Sequence, residues 1–182
     1  MCIRDSTEGA ITLTNGSTYT AGSGTVTKLQ GTLDLGTTAA STLALGGQLQ
    51  LTGNTTLSGP GSLVMTSSSG STGQIGTNST DWTLTNLSTI SGSGLIGSNA
   101  SSVYPNLSLA NSGTVNANSL GNILTIGGDG TSITNTGVFE ATGGGTLALA
   151  TTAPVDNLNG AITASGSGSI VEVSTTIQGR CV

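Results

Sequence analysis

The residues that could carry out acid–base or metal chemistry in this chain are few and far apart. The 182 residues include no histidine and two cysteines, and eight acidic residues face three basic ones. Without histidine the chain lacks a serine or cysteine protease triad and an imidazole metal site. Glycoside hydrolysis needs only two converging carboxylates, but Asp129, Glu140, Asp156 and Glu172 are unevenly spread along the chain. We therefore predict no catalytic, cofactor-binding or metal-binding residue.

Two aromatic residues are the candidate ligand contacts, because aromatic rings can stack on sugars. Trp82 alternates with Leu84 as a core pair would, so core packing is the favoured alternative for it. Tyr104 precedes Pro105 in a polar segment. The run Gly127–Gly130 has the glycines and aspartate of a calcium-binding nonapeptide repeat, but it occurs once, and a tight turn explains it better.

A glycine-punctuated repeat organises the chain, with a period of about 24 residues that is typical of stacked coils. It is clearest in Gly113–Ile126, Gly137–Leu149 and Gly160–Val173. Aligned on their opening glycines, the copies match at Val115, Phe139 and Ile162, at Ala117, Ala141 and Ala164, at Gly121, Gly145 and Gly168, and at Ile123, Leu147 and Ile170. The alternation then slips, with Leu149 opposite Glu172, which predicts a β-bulge. None of the acidic residues Asp129, Glu140, Asp156 and Glu172 lies one such period from another.

An asparagine recurs before each opening glycine, at Asn111, Asn135 and Asn159, which predicts a stacked asparagine ladder. A weaker copy extends the repeat forward, since Ser58–Val64 matches Ser165–Val171 at most positions. Alternating strand-length segments lie between the glycine clusters, and no window has a helical period. Examples of these segments are Ala10–Thr14, Gly31–Leu35, Gln48–Thr52 and Thr146–Ala150. We predict an all-β solenoid of about seven coils, with Asp34 on an outward face.

Two polar segments interrupt the repeat and predict lateral loops, Thr66–Thr80 and Gly97–Asn106. Loops on a rigid scaffold commonly carry binding residues, so these segments are the expected contact surface, with plain solvated connections as the simpler alternative. The sequons include those at Asn54, Asn86 and Asn99, although chance suffices to explain them in a chain so rich in Asn, Ser and Thr.

Both ends of the chain look like translated sequencing adaptor. Residues 1–6 (MCIRDS) and 180–182 (RCV) back-translate to the same transposon-end string in two frames, so we expect residues 7–179 to be the β-solenoid fragment of a longer protein. This fragment has no cysteine, and Lys28 is its only cation against seven acids. Such a charge balance disfavours nucleic acid and anionic membranes as partners. No apolar run is long enough to insert in a membrane.

The run Asn135–Leu147 (NTGVFEATGGGTL) resembles the repeats of bacterial autotransporter passengers and filamentous-haemagglutinin-like adhesins. This resemblance implies a right-handed parallel β-helix at the bacterial cell surface, exported by a region outside the fragment. It also implies a non-catalytic adhesin stalk or scaffold that contacts a host or cell-surface glycan or protein. The alternatives are a carbohydrate-active enzyme fragment (a polysaccharide lyase or glycoside hydrolase) and a structural envelope or sheath protein. Open coil edges further predict end-to-end self-association of the fragment.

Overall fold

The structure, a computed structural model, describes residues 7–8, 11–68, 71–77, 81–97, 107–128 and 132–179. These residues form strands and turns, with no helix among them. The first strands are β1 (Thr7–Glu8), β2 (Ile11–Thr12), β3 (Thr18–Ala21), β4 (Val26–Asp34), β5 (Thr42–Leu45), β6 (Gln48–Ser58), β7 (Ser62–Met65), β8 (Ser67–Ser68), β9 (Ser71–Thr72), β10 (Gln74–Thr77), β11 (Trp82–Asn86) and β12 (Thr89–Gly92). The remaining strands are β13 (Gly94–Gly97), β14 (Leu107–Asn111), β15 (Thr114–Ala117), β16 (Ile123–Gly128), β17 (Ile133–Asn135), β18 (Val138–Ala141), β19 (Thr146–Thr151), β20 (Val155–Asp156), β21 (Ala161–Ala164), β22 (Ile170–Val173) and β23 (Ile177–Gln178).

The chain is a parallel β-solenoid, which confirms the predicted fold class. Seven strands form one sheet in the order β21-β18-β15-β12-β7-β5-β3, with one strand from each coil. We call this sheet the first face of the solenoid. A fourteen-stranded sheet supplies the second and third faces, because β4 and β6 each run through both of them. The first half of β6 pairs with β10 on the second face, and its last residues pair with β11 on the third.

The coils vary in length although their strands stay in register. Successive partners in the seven-stranded sheet are Thr18, Thr42, Ser62, Thr89, Thr114, Val138 and Ala161. The shortest interval along the chain runs from Thr42 to Ser62, and the longest runs from Ser62 to Thr89. This longest coil contains an antiparallel hairpin of β8 and β9. The predicted period therefore holds for the first interval and the last two, and the corners absorb the differences elsewhere.

Alternate side chains point inward and form continuous columns along the rod. On the first face, one column contains Tyr19, Leu43, Leu63, Ile90, Val115, Phe139 and Ile162. Its members from Leu43 to Phe139 are at most 3% exposed. Ala117, Ala141 and Ala164 also stack in register, as predicted. Each inward side chain is therefore buried by the coils on either side of it, which is why a single coil cannot stand alone.

The register on the second face corrects two sequence expectations. Leu147 pairs with Leu124 and Val171, so its predicted alignment with Ile123 and Ile170 is wrong. Leu149 pairs with Val173, and the predicted bulge at this point is absent from the β19–β22 pairing. The cause is the preceding corner, which has four residues (142–145) in one coil and five (118–122 and 165–169) in its neighbours. A register shift occurs instead between β4 and β6, at Leu29 and Gly31.

The weaker copy proposed from the sequence is also misaligned. Leu63 lies in the seven-stranded sheet, whereas Ile170, its supposed counterpart, lies in the larger sheet. Similar glycine-rich turns occur at two different corners of the coil, and the sequence does not distinguish these corners. The predicted alternating segments are confirmed by β4, β6 and β19, whereas β2 covers only Ile11–Thr12 of the first one, whose Ala10 lies outside the described residues. Half-buried Asp34 lies between buried Leu33 and Leu35, as expected.

A buried asparagine ladder runs along the inside of the third face. Asn86 Nδ2 donates to Asn111 Oδ1, Asn111 Nδ2 to Asn135 Oδ1, and Asn135 Nδ2 to Asn157 Oδ1, each at 2.7 Å. The first three asparagines are at most 1% exposed. At its ends, Asn86 Oδ1 accepts from the Ser88 backbone N–H, and Asn157 Nδ2 donates to the Gly160 carbonyl. Every amide is therefore paired, as burial of a polar group requires.

The ladder confirms Asn111 and Asn135 but corrects the last predicted rung. Asn157 occupies the rung, whereas Asn159 is exposed and adopts a φ of 70°. The turn from Asn157 to β21 is one residue longer than the turn from Asn135 to β18, so the constant 24-residue interval between asparagines selects Asn159 and not Asn157. The sequence comparison also missed Asn86, because no glycine follows it at the expected distance.

Close packing of backbones explains the glycines that follow the ladder. A Cβ atom at Gly137 would lie 2.1 Å from the Gly113 carbonyl oxygen, and one at Gly113 would lie 2.0 Å from the Ser88 carbonyl oxygen. The backbone N–H groups that follow donate across the same corner, from Thr114 to Ser88 and from Val138 to Gly113, both at 2.9 Å. Glycine is needed here because successive turns approach each other too closely for a side chain.

Replacement of Asn111 by alanine should destabilise the protein by about 2–4 kcal/mol, because it leaves a buried donor on Asn86 and a buried acceptor on Asn135 without their amide partners. Urea denaturation of Asn111→Ala measures the loss. The matched control is Asn159→Gly, which changes an exposed asparagine whose φ suits glycine and should shift the free energy of unfolding by less than about 0.5 kcal/mol. Equal effects of the two substitutions would show that the ladder does not contribute as described.

Candidate functional site

The first face presents a column of hydroxyl side chains to solvent. Its members are Thr18, Thr42, Ser62, Thr89 and Thr114, which are cross-strand partners on successive coils and are half-buried or exposed. The next outward column contains Thr20, Ala44, Val64, Ser91 and Asn116, followed by the charged Glu140. The surface of these five coils on the first face is therefore uncharged and built from short side chains.

The third face has a similar outward column, formed by Thr32, Thr56, Thr85, Ala110 and Thr134. Asp156 and Gln178 continue it at the C-terminal end. On the second face the corresponding column is Val26, Gln48, Gln74, Leu95, Thr125, Ala148 and Glu172. The columns carry neutral side chains along most of the rod, and the acidic residues on them are in the later coils.

Four acidic residues of the described chain, Asp34, Glu140, Asp156 and Glu172, are separated from one another in the strand register. Glu140 has Asn116 and Thr163 as its cross-strand neighbours, and Asp156 has Thr134 and Gln178. Asp34 pairs with Thr12 and Ser58, and Glu172 pairs with Ala148. No group of three or more acidic, histidine or cysteine residues comes together within the described ranges. The pairing therefore brings no two of these four carboxylates together as direct cross-strand partners.

Of the two candidate ligand contacts, Trp82 lies in the described part of the chain and Tyr104 does not. Trp82 begins β11, is half-buried and packs against the core cluster, while Leu84 is 1% exposed. The Trp82 Nε1 atom is buried without a hydrogen-bond partner in the described part of the chain. Tyr104 lies outside the described residues, as does Asp129 of the glycine-rich run. Gly127 and Gly128 of that run end strand β16.

The predicted loop Thr66–Thr80 is only partly lateral. Strands β8 and β9 form a small hairpin beside the solenoid, but β10 is a coil strand in which Ile75 is fully buried and Thr77 is 1% exposed. A shallow surface depression lies next to the hairpin, lined in part by Val64, Ser67, Ser93 and Asn118. The prediction was wrong for β10 because its polar composition hides an inward Ile75. Of the second predicted loop, Gly97 ends β13 and residues 98–106 are outside the described chain.

The asparagines of these sequons differ in their accessibility to solvent. Asn86 is fully buried in the ladder, so its amide is inaccessible to a glycosyl donor in the folded protein. Asn54 is exposed, and its Oδ1 accepts a hydrogen bond from the Thr83 backbone N–H at 3.0 Å. Asn99 is among the residues that the structure does not describe. Among these sequons, Asn54 is the accessible one in the described part of the chain.

Comparisons with protein-family models, curated proteins and solved structures gave no match. No helix long and apolar enough to cross a membrane occurs in the described residues. The resemblance to autotransporter passengers and adhesins therefore stays a prediction from the repeat. What the geometry contributes is an elongated scaffold with outward columns that are neutral except in the later coils, separated carboxylates and one lateral hairpin.

Proposed function

We propose that this chain is a segment of a non-catalytic, exported rod that acts as the stalk or scaffold of a bacterial cell-surface adhesin. The separation of the acidic residues in the strand register is the observation that carries the proposal. Glu140 and Asp156 each have neutral cross-strand partners on both neighbouring coils. Hydrolysis of a glycoside by a carboxylate pair would need two such groups to converge on one bond.

The construction of the rod also favours a stalk. Inward columns bury each coil against its neighbours, so length increases by one strand spacing, about 4.8 Å, for every coil added. Most side chains of the outward rows are half-buried or exposed, although Ser91 and Leu95 are buried, so these rows contribute less to the core than the inward columns do. A glycan or protein of the host or cell surface is the partner class that suits the neutral hydroxyl columns and the hairpin.

A carbohydrate assay should separate the stalk from an enzyme. We expect the full chain to release neither reducing ends nor unsaturated uronates from pectin, alginate, cellulose or chitin. The matched variant replaces four described carboxylates, as Asp34→Asn, Glu140→Gln, Asp156→Asn and Glu172→Gln. Its adsorption to the insoluble polysaccharides, and to immobilised collagen and fibronectin, should equal that of the parent chain. Release of a product by the parent chain, lost in the four-site variant, would establish the enzyme instead.

Excision of one whole coil should leave a folded, shorter rod. Deletion of Thr114–Gly137 joins Gly113 to Val138, which is the register partner of Thr114, so Val138 takes the place of Thr114 and the remaining columns stay in register. We expect retained β-sheet circular dichroism and a rod shorter by about 4.8 Å in small-angle scattering. Deletion of Thr114–Thr125 is the control, because it brings a second-face strand into a first-face position and should abolish folding. A stalk is contradicted if both deletions unfold the chain.

The last coil supports the proposed end-to-end self-association. Val173 is 49% exposed, whereas its register partner Leu149 is fully buried, and Ile162 and Val171 are likewise only partly buried. Strands β21, β22 and β23 each have a partner on one side only within the described chain. Uncovered apolar side chains next to an open strand edge favour pairing with a second copy.

We expect the isolated chain to form dimers and larger species in analytical ultracentrifugation, with association increasing with concentration. Val173→Lys places a charge in the open end of the core and should shift the distribution towards monomer. Leu120→Lys is the control, because Leu120 is 77% exposed at a corner, away from the inward columns. A monodisperse monomer, or equal sensitivity to both substitutions, would rule out association through the last coil.

A further inference from the structure

The two Asn-Gly dipeptides of the described chain have contrasting surroundings. They are Asn15-Gly16, in the turn before β3, and Asn159-Gly160, in the turn before β21. In this dipeptide the glycine nitrogen can attack the asparagine side chain, since glycine has no Cβ to hinder the approach. Whether the reaction occurs in a folded protein depends on how firmly the asparagine side chain is held.

Asn15 is held by five hydrogen bonds to the next coil, the longest of which is donated by the Thr37 hydroxyl to Asn15 Oδ1 at 3.4 Å. Its Oδ1 accepts from the backbone N–H groups of Thr37, Thr38 and Ala39 at 2.7, 3.0 and 3.1 Å. Its Nδ2 donates to the Thr38 hydroxyl at 2.6 Å. The side chain must break these bonds before its amide carbon can turn towards the Gly16 nitrogen, so the exposure of this turn does not make Asn15 free to react.

Asn159 lacks such restraint. Its side chain is exposed and makes no hydrogen bond to any described residue. It is the one residue other than glycine with a positive φ in the described chain, at 70°. The Gly160 backbone N–H donates to the Asn157 carbonyl at 3.3 Å, at the long end of the hydrogen-bond range. The Asn159 side-chain amide and the Gly160 backbone nitrogen, which are the two reacting groups, are therefore only weakly held by hydrogen bonds.

We propose that Asn159 is a site of spontaneous deamidation in the folded protein, and that Asn15 is protected. The Gly160 nitrogen forms a bond to the Asn159 amide carbon and gives up its proton, while the bond to the side-chain nitrogen breaks and ammonia leaves with that proton. Water then opens the resulting succinimide at either carbonyl. One opening gives aspartate with the original backbone, and the other gives isoaspartate, in which the backbone runs through the side chain.

The position of this turn gives the modification a structural consequence. The Gly160 carbonyl accepts a hydrogen bond from Asn157 Nδ2, the last amide of the ladder, at 3.2 Å, and β21 begins at the next residue. A Cβ atom at Gly160 would already lie 2.4 Å from the Asn135 carbonyl oxygen, so the turn has little space for displacement. Isoaspartate lengthens the backbone here by one methylene. The new carboxylate also lies next to Leu158, whose backbone N–H donates to the Asp156 carboxylate. We infer that deamidation loosens the last coil.

Peptide mapping of the full chain, aged in mildly alkaline buffer, tests the proposal. Cleavage after Lys and Arg combined with cleavage after Glu isolates 9–28, in which Asn15 is the only asparagine, and 141–172, which contains Asn157 and Asn159. Fragmentation assigns the mass gain to Asn157 or Asn159, and isoaspartate methyltransferase identifies the isoaspartate. We expect Asn159 to convert at least about tenfold faster than Asn15, a ratio that one to two net hydrogen bonds can supply.

The same measurement in denaturant is the control, because unfolding removes the hydrogen bonds of Asn15 and should bring the two rates together. Asn159→Gly supplies a second control, since it removes the reacting side chain and suits the positive φ. In that variant the protease resistance of 161–179 should survive ageing, while the parent chain should lose it. Conversion of Asn15 as fast as Asn159 in the native protein would overturn the proposal. So would an unchanged Asn159 under conditions that convert it in denaturant.

Discussion

In-register stacking of each coil on the one before it is the constraint on which the whole structure depends. The seven-stranded sheet pairs four-residue strands of successive coils, although the chain from Thr42 to Ser62 is markedly shorter than the chain from Ser62 to Thr89. A slip of one position would turn the inward row outward, so the register is fixed by burial. Length differences must then be taken up at the corners. The hairpin of β8 and β9 and the unequal turns before β16, β19 and β22 are places where this happens.

The asparagine ladder meets the same constraint with polar side chains. Leu33 and Leu57 occupy its column in the early coils, and Asn86 pairs with Leu57 where the column becomes polar. A leucine needs only apolar neighbours, whereas a buried asparagine needs a donor and an acceptor at fixed positions above and below. The ladder therefore makes the later coils more specific in register than burial of apolar groups alone, because a shifted rung would leave amides unpaired.

The sequence was sufficient to predict the class of fold, the approximate coil number and the inward rows. This succeeded because alternation reports which side chains are buried, and because Val115, Phe139 and Ile162 keep a nearly constant spacing. The prediction failed where the spacing between equivalent residues of successive coils is not constant. Asn159 was preferred over Asn157, and Ile123 was aligned with Leu147, since in each case the turns differ in length. Polar composition concealed β10 for a related reason: one buried Ile75 is enough to define a short coil strand.

The outward surface was harder to interpret because folding places few demands on it. The inward residues are restricted by neighbours on both sides, while outward positions are occupied by residues as different as threonine, alanine, glutamine and glutamate. Such tolerance suits a rod whose length and stiffness come from its core and whose contacts vary along its faces. It also means that chemistry would have to be assembled across coils, by matching outward residues at register positions. Glu140 lies between Asn116 and Thr163, and Asp156 lies between Thr134 and Gln178, so neither carboxylate has an acidic partner at its register position. This separation is the physical argument behind the proposal of a scaffold.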